Sequence, residues 1–473
     1  MRLKLAGFVA AVFSFLAAQS GFAADMPAKA PVYKAPMAAA TSWTGLYVNG
    51  GIGYGMWAAD TTAVSATTGA CLLCETQVQG GKGWLGTIGA GYDLQFSPKF
   101  VVGIFGDASL SSLKGTVQDQ NFQISGDIKQ TSSWAFGARA GWLVSPKTLS
   151  YWNAGYTGAR FSSANIVTSG TGIFSGNSTP AFTASGWFLG GGVETAVSPG
   201  WFWRNEYRYA YYGSKTLTDT GTVGVLNSIT FKPTVQTVTS QLVYKFNGGL
   251  AAPVYPAAAA MATNWTGFYV NAGVGYGLWN ADTTTVNPAT GLCSLCVTQV
   301  QGGKGYLGRI GAGYDWQFAP AWVAGVFGNF DVSSLKGTVQ DQGNFVAGAI
   351  KQTSAWAAGP RLGWLPSPQT MTYVNGGYTS ARFSGTNMVF AVNGAPTAFS
   401  TPAFTTNGWF LGGGVERTFD LFGKGWFWRN EYRYASYGSK TLTDTLPGVG
   451  AINSITFKPT VQTVTTQVVF KFN

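Results

Sequence analysis

Hydrophobic positions along this chain recur with a period of two. Between Trp201 and Tyr212, the residues Trp201, Trp203, Tyr207, Tyr209 and Tyr211 share one parity, while Arg204, Glu206 and Arg208 hold the other. A helix would mix these sets on every side, so the alternation predicts a strand with one aromatic and one ionic face. Trp426, Trp428, Tyr432 and Tyr434 oppose Arg429, Glu431 and Arg433 in the same manner. Trp134, Phe136, Ala138, Ala140, Trp142 and Val144 alternate with Ser133, Ala135, Gly137, Arg139 and Gly141; Trp187, Leu189 and Val193 alternate with Gly190, Gly192 and Glu194. Eight such segments are expected in the first half of the chain, beginning near Trp43, Gly83, Phe100, Ile128, Thr148, Ser185, Trp201 and Thr234.

The connections alternate short and long. Phe96-Ser97-Pro98-Lys99-Phe100, Ser145-Pro146-Lys147 and Val197-Ser198-Pro199-Gly200 are short and carry Pro at a tight turn. Long connections are expected from about Ala58 to Lys82, Thr116 to Asp127, Ser163 to Ala184 and Gly213 to Pro233. Short turns on one side and long loops on the other are the pattern of a membrane barrel, for which eight strands is a common small size.

The whole design occurs twice. Trp43-Thr44-Gly45-Leu46-Tyr47-Val48-Asn49 returns as Trp265-Thr266-Gly267-Phe268-Tyr269-Val270-Asn271, and Leu113-Lys114-Gly115-Thr116 as Leu335-Lys336-Gly337-Thr338. Trp203-Arg204-Asn205-Glu206 reappears at Trp428-Arg429-Asn430-Glu431, and Ala30-Pro31-Val32-Tyr33 at Ala252-Pro253-Val254-Tyr255. The chain is therefore expected to comprise a segment 1–23, an Ala/Pro-rich leader 24–42, a first unit 43–247, a linker 248–264 and a second unit 265–473. With an even strand number, both ends of each unit and the linker fall on the periplasmic side.

Composition supports a membrane setting. Charged residues are only 10 % of the chain against 66 Gly, 18 Trp, 21 Tyr and 32 Phe, and soluble domains carry roughly a quarter charged residues. Residues 1–23 read as a cleaved export signal: Arg2 and Lys4 start it, Leu5 to Ala18 is apolar, and Gly21-Phe22-Ala23 is a small-x-small cleavage site. A membrane anchor is the alternative for this stretch, but the apolar run is short. A soluble sandwich would accommodate one such strand, yet it leaves the export signal, the sparse charge and the asymmetric connections unexplained. The net charge of +11 is scattered singly, which argues against nucleic acid and is compatible with anionic lipid and lipopolysaccharide.

Candidate chemistry is thin. The chain has no histidine, so the usual base of barrel hydrolases is missing, and neither catalysis nor a cofactor is expected. The charged parity yields Asp93, Asp107, Arg139, Arg160, Glu194, Arg204, Glu206 and Arg208 in the first unit and Asp315, Arg361, Arg382, Glu416, Arg429, Glu431 and Arg433 in the second. These line either a charged pore or, as preferred here, a paired network filling a narrow lumen. Trp201, Trp203, Tyr207, Tyr209, Trp426, Trp428, Tyr432 and Tyr434 are expected to face lipid. Cys71/Cys74 and Cys293/Cys296 fall in the first long loop of each unit; two thiolates without His are too few for zinc, and a small loop disulfide is expected in an oxidising compartment. Gly89-Ala90-Gly91, Gly190-Gly191-Gly192 and Gly80-Gly81-Lys82-Gly83 lack the strand-to-helix context of phosphate loops. Pro360, inside an aromatic strand, predicts a bulge or a missing ladder bond.

The mature start Ala24-Asp25-Met26-Pro27, the opening strand from Trp43 to Gly55 and the ending Tyr244-Lys245-Phe246-Asn247 resemble the outer-membrane immunogenic, porin-like proteins of alphaproteobacteria, over essentially the whole mature chain and twice. The resemblance implies an OmpA-like, surface-exposed and antigenic barrel associated with envelope integrity, with no catalytic residue. Two features depart from it: the usual chain is one unit, and in the final strand, Val468, Phe470 and Phe472 resemble the signal read by the barrel-assembly machinery while Asn473 takes the last position. The expectation is thus an all-β protein of two tandem eight-stranded transmembrane antiparallel up-and-down barrels, structural in role. The alternative is one sixteen-stranded porin for passive diffusion of small solutes. Oligomeric state is left open.

Overall fold

The computed structural model describes residues 43–119, 124–221, 224–246, 263–419 and 423–472. The expected export signal, the leader, most of the linker and Asn473 lie outside the described residues.

The first half contributes strands β1 (Gly45–Ser65), β2 (Cys71–Gln95), β3 (Phe100–Asp119), β4 (Ile124–Ser145), β5 (Thr148–Phe161), β6 (Ala164–Thr168), β7 (Phe174–Thr179), β8 (Phe182–Ser198), β9 (Trp201–Tyr212), β10 (Lys215–Gly221) and β11 (Gly224–Lys245). Antiparallel ladders run β1–β2–β3–β4–β5–β8–β9–β11, and β11 returns to β1 from Tyr47↔Lys245 to Ser65↔Asn227. Eight strands therefore close on themselves, and every long edge is paired. The second half repeats this with β12 (Gly267–Val286), β13 (Cys293–Ala319), β14 (Trp322–Asp341), β15 (Val346–Ser367), β16 (Thr370–Phe383), β17 (Thr386–Phe390), β18 (Pro396–Thr401), β19 (Phe404–Thr418), β20 (Trp426–Tyr437), β21 (Lys440–Leu446) and β22 (Gly450–Phe472). Its last strand, β22, closes on its first, β12, from Phe268↔Phe472 to Val286↔Ser454. A single sixteen-stranded wall would require β11 to pair with β12; each instead pairs within its own half.

The long loops expected from the sequence are largely strand. β1 and β2 continue to a turn at residues 66–70, so Cys71–Cys74 and Cys293–Cys296, both disulfide-bonded with Cα separations of 5.5 and 5.4 Å, open β2 and β13 and do not lie in irregular loops. The alternation persists there with Thr and Ala in place of large residues: Ala59, Thr61 and Ala63 are all buried on one parity. Above the lower wall, β6, β7 and β10 replace β5, β8 and β9, pairing with β4, one another and β11. Pro360 keeps register with Val326 on β14, while the ladder to β16 passes from Ala358↔Tyr378 to Arg361↔Asn375 without pairing Gly359 or Pro360. The missing donor is absorbed as a gap in one ladder, with no bulge.

The two barrels meet along a reciprocal seam. Lys82 bonds Asp282 at 2.9 Å and its counterpart Lys304 bonds Asp60 at 2.8 Å. Thr116 accepts from the backbone N–H of Val300 at 3.0 Å, and Thr338 from that of Val78 at 3.0 Å. Gln118 pairs with Gln299, Gln340 with Gln77, and Gln79 faces Gln301 backbone to backbone. Each contact recurs with the roles of the barrels exchanged, which is the geometry of a two-fold interface. Gly80 permits the approach, since a Cβ there would lie 2.3 Å from the Asn280 amide nitrogen.

Candidate functional site, an ion-paired lumen

The inward parity of β2, β4, β8, β9 and β11 places charge at the centre of the first barrel. Arg139 donates through Nε to Asp93 at 2.8 Å, through Nη2 to the same carboxylate, and through Nη1 to Glu194 at 2.9 Å. Arg204 reaches Glu194 at 2.7 Å, and the Lys245 ammonium sits between Asp93 and Glu194. In the layer above, Arg208 forks onto Asp107 at 3.0 and 2.7 Å and reaches Glu206 at 2.8 Å; Tyr151 and Asn153 donate to Glu206 at 2.7 and 2.9 Å. Asp93 and Glu194 are fully buried. Charges so placed persist only when paired, and removing one partner of such a set costs about 3–5 kcal/mol.

The second barrel repeats the lower layer with Arg361, Asp315, Glu416, Arg429 and Lys471. Its upper layer differs. Arg309 stands where the first barrel has Thr87 and forks onto Asp331 at 2.7 and 2.8 Å, while also bonding Glu431 at 2.7 Å. Arg433 reaches Glu431 at 2.7 Å, and Tyr373 and Asn375 donate to it. The extra guanidinium fills space: a cavity of about 40 Å³ beside Thr87, Glu206 and Arg208 shrinks to about 20 Å³ beside Arg309, Asp331 and Arg433. Either volume holds water molecules and little more.

Aromatic clusters cap these layers. Trp57, Phe161, Phe182 and Phe231 pack with ring centroids 5.0 to 6.4 Å apart on one side, and Trp43 lies 4.9 Å from Phe202 on the other. A Cβ on Gly81 would fall 2.2 Å from the Trp57 indole, so the glycine-rich Gly80-Gly81-Lys82-Gly83 segment makes room for a ring inside and a barrel outside. Trp279, Phe383, Phe404 and Phe457 repeat the upper cap.

The expected lumen residues converge, with two exceptions. On β5 the inward set is Tyr151, Asn153, Thr157, Ala159 and Phe161, so Arg160 takes the outward parity and is exposed; Arg382 does the same beside the buried Ala381 and Phe383. Sequence reading missed Lys245, Lys471, Arg309 and Asp331. Counting parity along the last strand from Val243 places Lys245 inside, and the substitution of Thr87 by Arg309 between the units was a visible sign of a changed interior.

The expected lipid anchors also divide. Trp201 and the terminal set Val468, Phe470 and Phe472 share the outward face, as do Trp203, Trp426 and Trp428. Tyr207, Tyr209, Tyr432 and Tyr434 point outward too, but into the seam: Tyr207 lies 6.3 Å from Tyr432, Tyr209 packs edge-on to Tyr276 at 5.5 Å, and Tyr434 to Tyr54 at 5.6 Å. They meet the other barrel where lipid was expected.

Closed eight-stranded antiparallel barrels, apolar outside along Leu46, Val48, Ile52, Ile88 and Ile104 and ionic within, define the small transmembrane barrels of bacterial outer membranes. The chain belongs to the outer membrane protein beta-barrel domain family, which it matches twice, over residues 14–246 and 248–472. It is 28 % identical over 201 residues to the 31 kDa outer-membrane immunogenic protein of Brucella melitensis, covering 41 % of this chain and 80 % of that protein. It is 27 % identical over 205 residues to the 25 kDa outer-membrane immunogenic protein of Brucella abortus, covering 43 % and 82 %. Neisserial surface protein A aligns over 43 % of this chain and 98 % of its own, at 20 % identity and a TM-score of 0.24. The protein is a duplicated outer-membrane β-barrel.

Proposed function

We propose that the protein is a non-catalytic, surface-exposed structural component of the outer membrane that contributes to envelope integrity as a braced twin barrel. The observation that carries this reading is the filled lumen: ion pairs across the barrel, capped above and below by packed rings, leave voids of water size. A diffusion channel needs a continuous polar path, and an eight-stranded interior is about wide enough for its own side chains. The absence of histidine from the sequence also favours a role without acid–base chemistry. Planar-bilayer recording of the purified full chain tests it. Insertion without the sustained conductance of a wide porin is expected; steady porin-like channels would make passive transport the better reading.

A further inference from the structure

Arg160, expected inside, belongs to a cationic cluster on the outer wall. Lys114 and Lys129 stand directly opposite each other across the β3–β4 ladder, and Arg160 lies on the next strand opposite Ser132. Lys129 and Ser162 bond each other, N to Oγ at 3.1 Å and O to N at 2.8 Å, which sets Arg160 diagonally below Lys129. All three side chains are exposed. The second barrel repeats the arrangement with Lys336 opposite Lys351, and Arg382 on the next strand opposite Ser354.

Like charges placed opposite on paired strands repel, and a counter-anion offsets that repulsion. In the first barrel Asp127 bonds Lys114 at 2.6 Å, both side chains being 57 % exposed. In the second, Ala349 occupies the corresponding position opposite Thr338, so that carboxylate has no counterpart. The level of the cluster is also informative. On β3 the outward row runs Val102, Ile104 and Leu110 before Lys114; on β4 it runs Phe136 and Trp134 before Lys129; on β5 it runs Trp152 and Tyr156 before Arg160. Trp134 and Tyr156 pack at 5.8 Å. The cations thus begin where the apolar band and its aromatic belt end, at the rim opposite the start of β1 and the end of β11, which is where outer-leaflet headgroups lie.

We propose that this face of each barrel binds the phosphate groups of an outer-leaflet phosphorylated glycolipid, lipopolysaccharide, with the acyl chains against Leu110, Trp134 and Tyr156 and their counterparts. Arg supplies a planar fork to a phosphate and the two Lys supply point charges, so the contacts are charge-assisted. The site depends on the membrane setting and is independent of whether the lumen conducts.

The test uses the full chain in neutral phospholipid vesicles, titrated with bisphosphorylated lipid A, with lipid A stripped of phosphate, and with inorganic phosphate. Phosphorylated lipid A should bind at least about ten-fold more tightly than the stripped form. The quadruple variant K129S/R160S/K351S/R382S should lose that preference, while K129R/K351R keeps it, folding being confirmed by heat-modifiable gel migration. Equal binding of the two lipids, or a quadruple variant as tight as the parent, overturns the proposal. Displacement by inorganic phosphate at concentrations equal to the lipid's also overturns it, as a free-anion site. If the quadruple variant does not fold, Asp127→Asn serves: tighter binding is expected, and no change counts against the assignment.

Discussion

Arg139 donates to two carboxylates inside the first barrel, whereas Arg160, on the neighbouring strand, projects outward. The two guanidiniums are similar in sequence context and opposite in energetic consequence. Arg139→Gln leaves Asp93 and Glu194 under-compensated and should lower stability by about 3–5 kcal/mol; Arg160→Gln should change it by no more than about 0.5 kcal/mol. Urea midpoints read by tryptophan fluorescence separate the two, and equal midpoints would contradict the buried network. Asp444 offers a pH test outside the lipid-facing wall. On the β21 hairpin it lies buried beside Asp341; burial and then the Asp341 carboxylate push its pKa up to about 8. The unfolded chain ionises this group near 4. Between about pH 4 and pH 8 the native hairpin therefore holds a proton that the unfolded one lacks, and its stability falls as pH rises through that window. Limited proteolysis of the tip, corrected with an unstructured control, should be faster at pH 8 than at pH 5 in the parent and pH-insensitive in Asp444→Asn.

At the scale of elements, parity was legible and length was not. The eight wall strands announce themselves through alternating aromatics, but Thr61, Ala63, Gln77 and Gln79 continue the same alternation with small and polar residues that also suit a loop. Long-range pairing decides between the two, because ladder bonds and burial within the barrel and against its neighbour stabilise strands that propensity alone leaves open. The seam was illegible for a related reason. Met56, Ala58 and Tyr207 lie on the outward parity, which lipid and a second barrel satisfy equally well in hydrophobic terms. A chain carrying Gln79→Cys and Gln301→Cys in a Ser background at the native cysteines should form a disulfide across the seam on oxidation. Failure to cross-link, with the folded barrels intact, would place the two walls apart.

At the scale of the molecule, the ladders that close the first barrel, β1 to β11 included, lie within residues 45–245; a backbone bridge to the second barrel joins Gln79 to Gln301. Residues 24–247 alone should consequently refold in detergent with β-sheet circular dichroism and heat-modifiable migration, while exposing Met56, Ala58 and Val78 that the seam now covers. A fragment that folds only when the second half is present would contradict independent closure. The sequence by itself determined the two units, their strand parity, the outer-membrane setting and most of the charged lumen, because period-two patterning, repeats and sparse charge are local properties of the chain. The tertiary structure alone decided that each unit closes on itself, that Arg160 and Arg382 leave the lumen, and that four tyrosines meet the other barrel. Those outcomes depend on which strands pair and in what register: Arg160 stands opposite Ser132 and Thr183, and the closing ladder joins Tyr47 to Lys245.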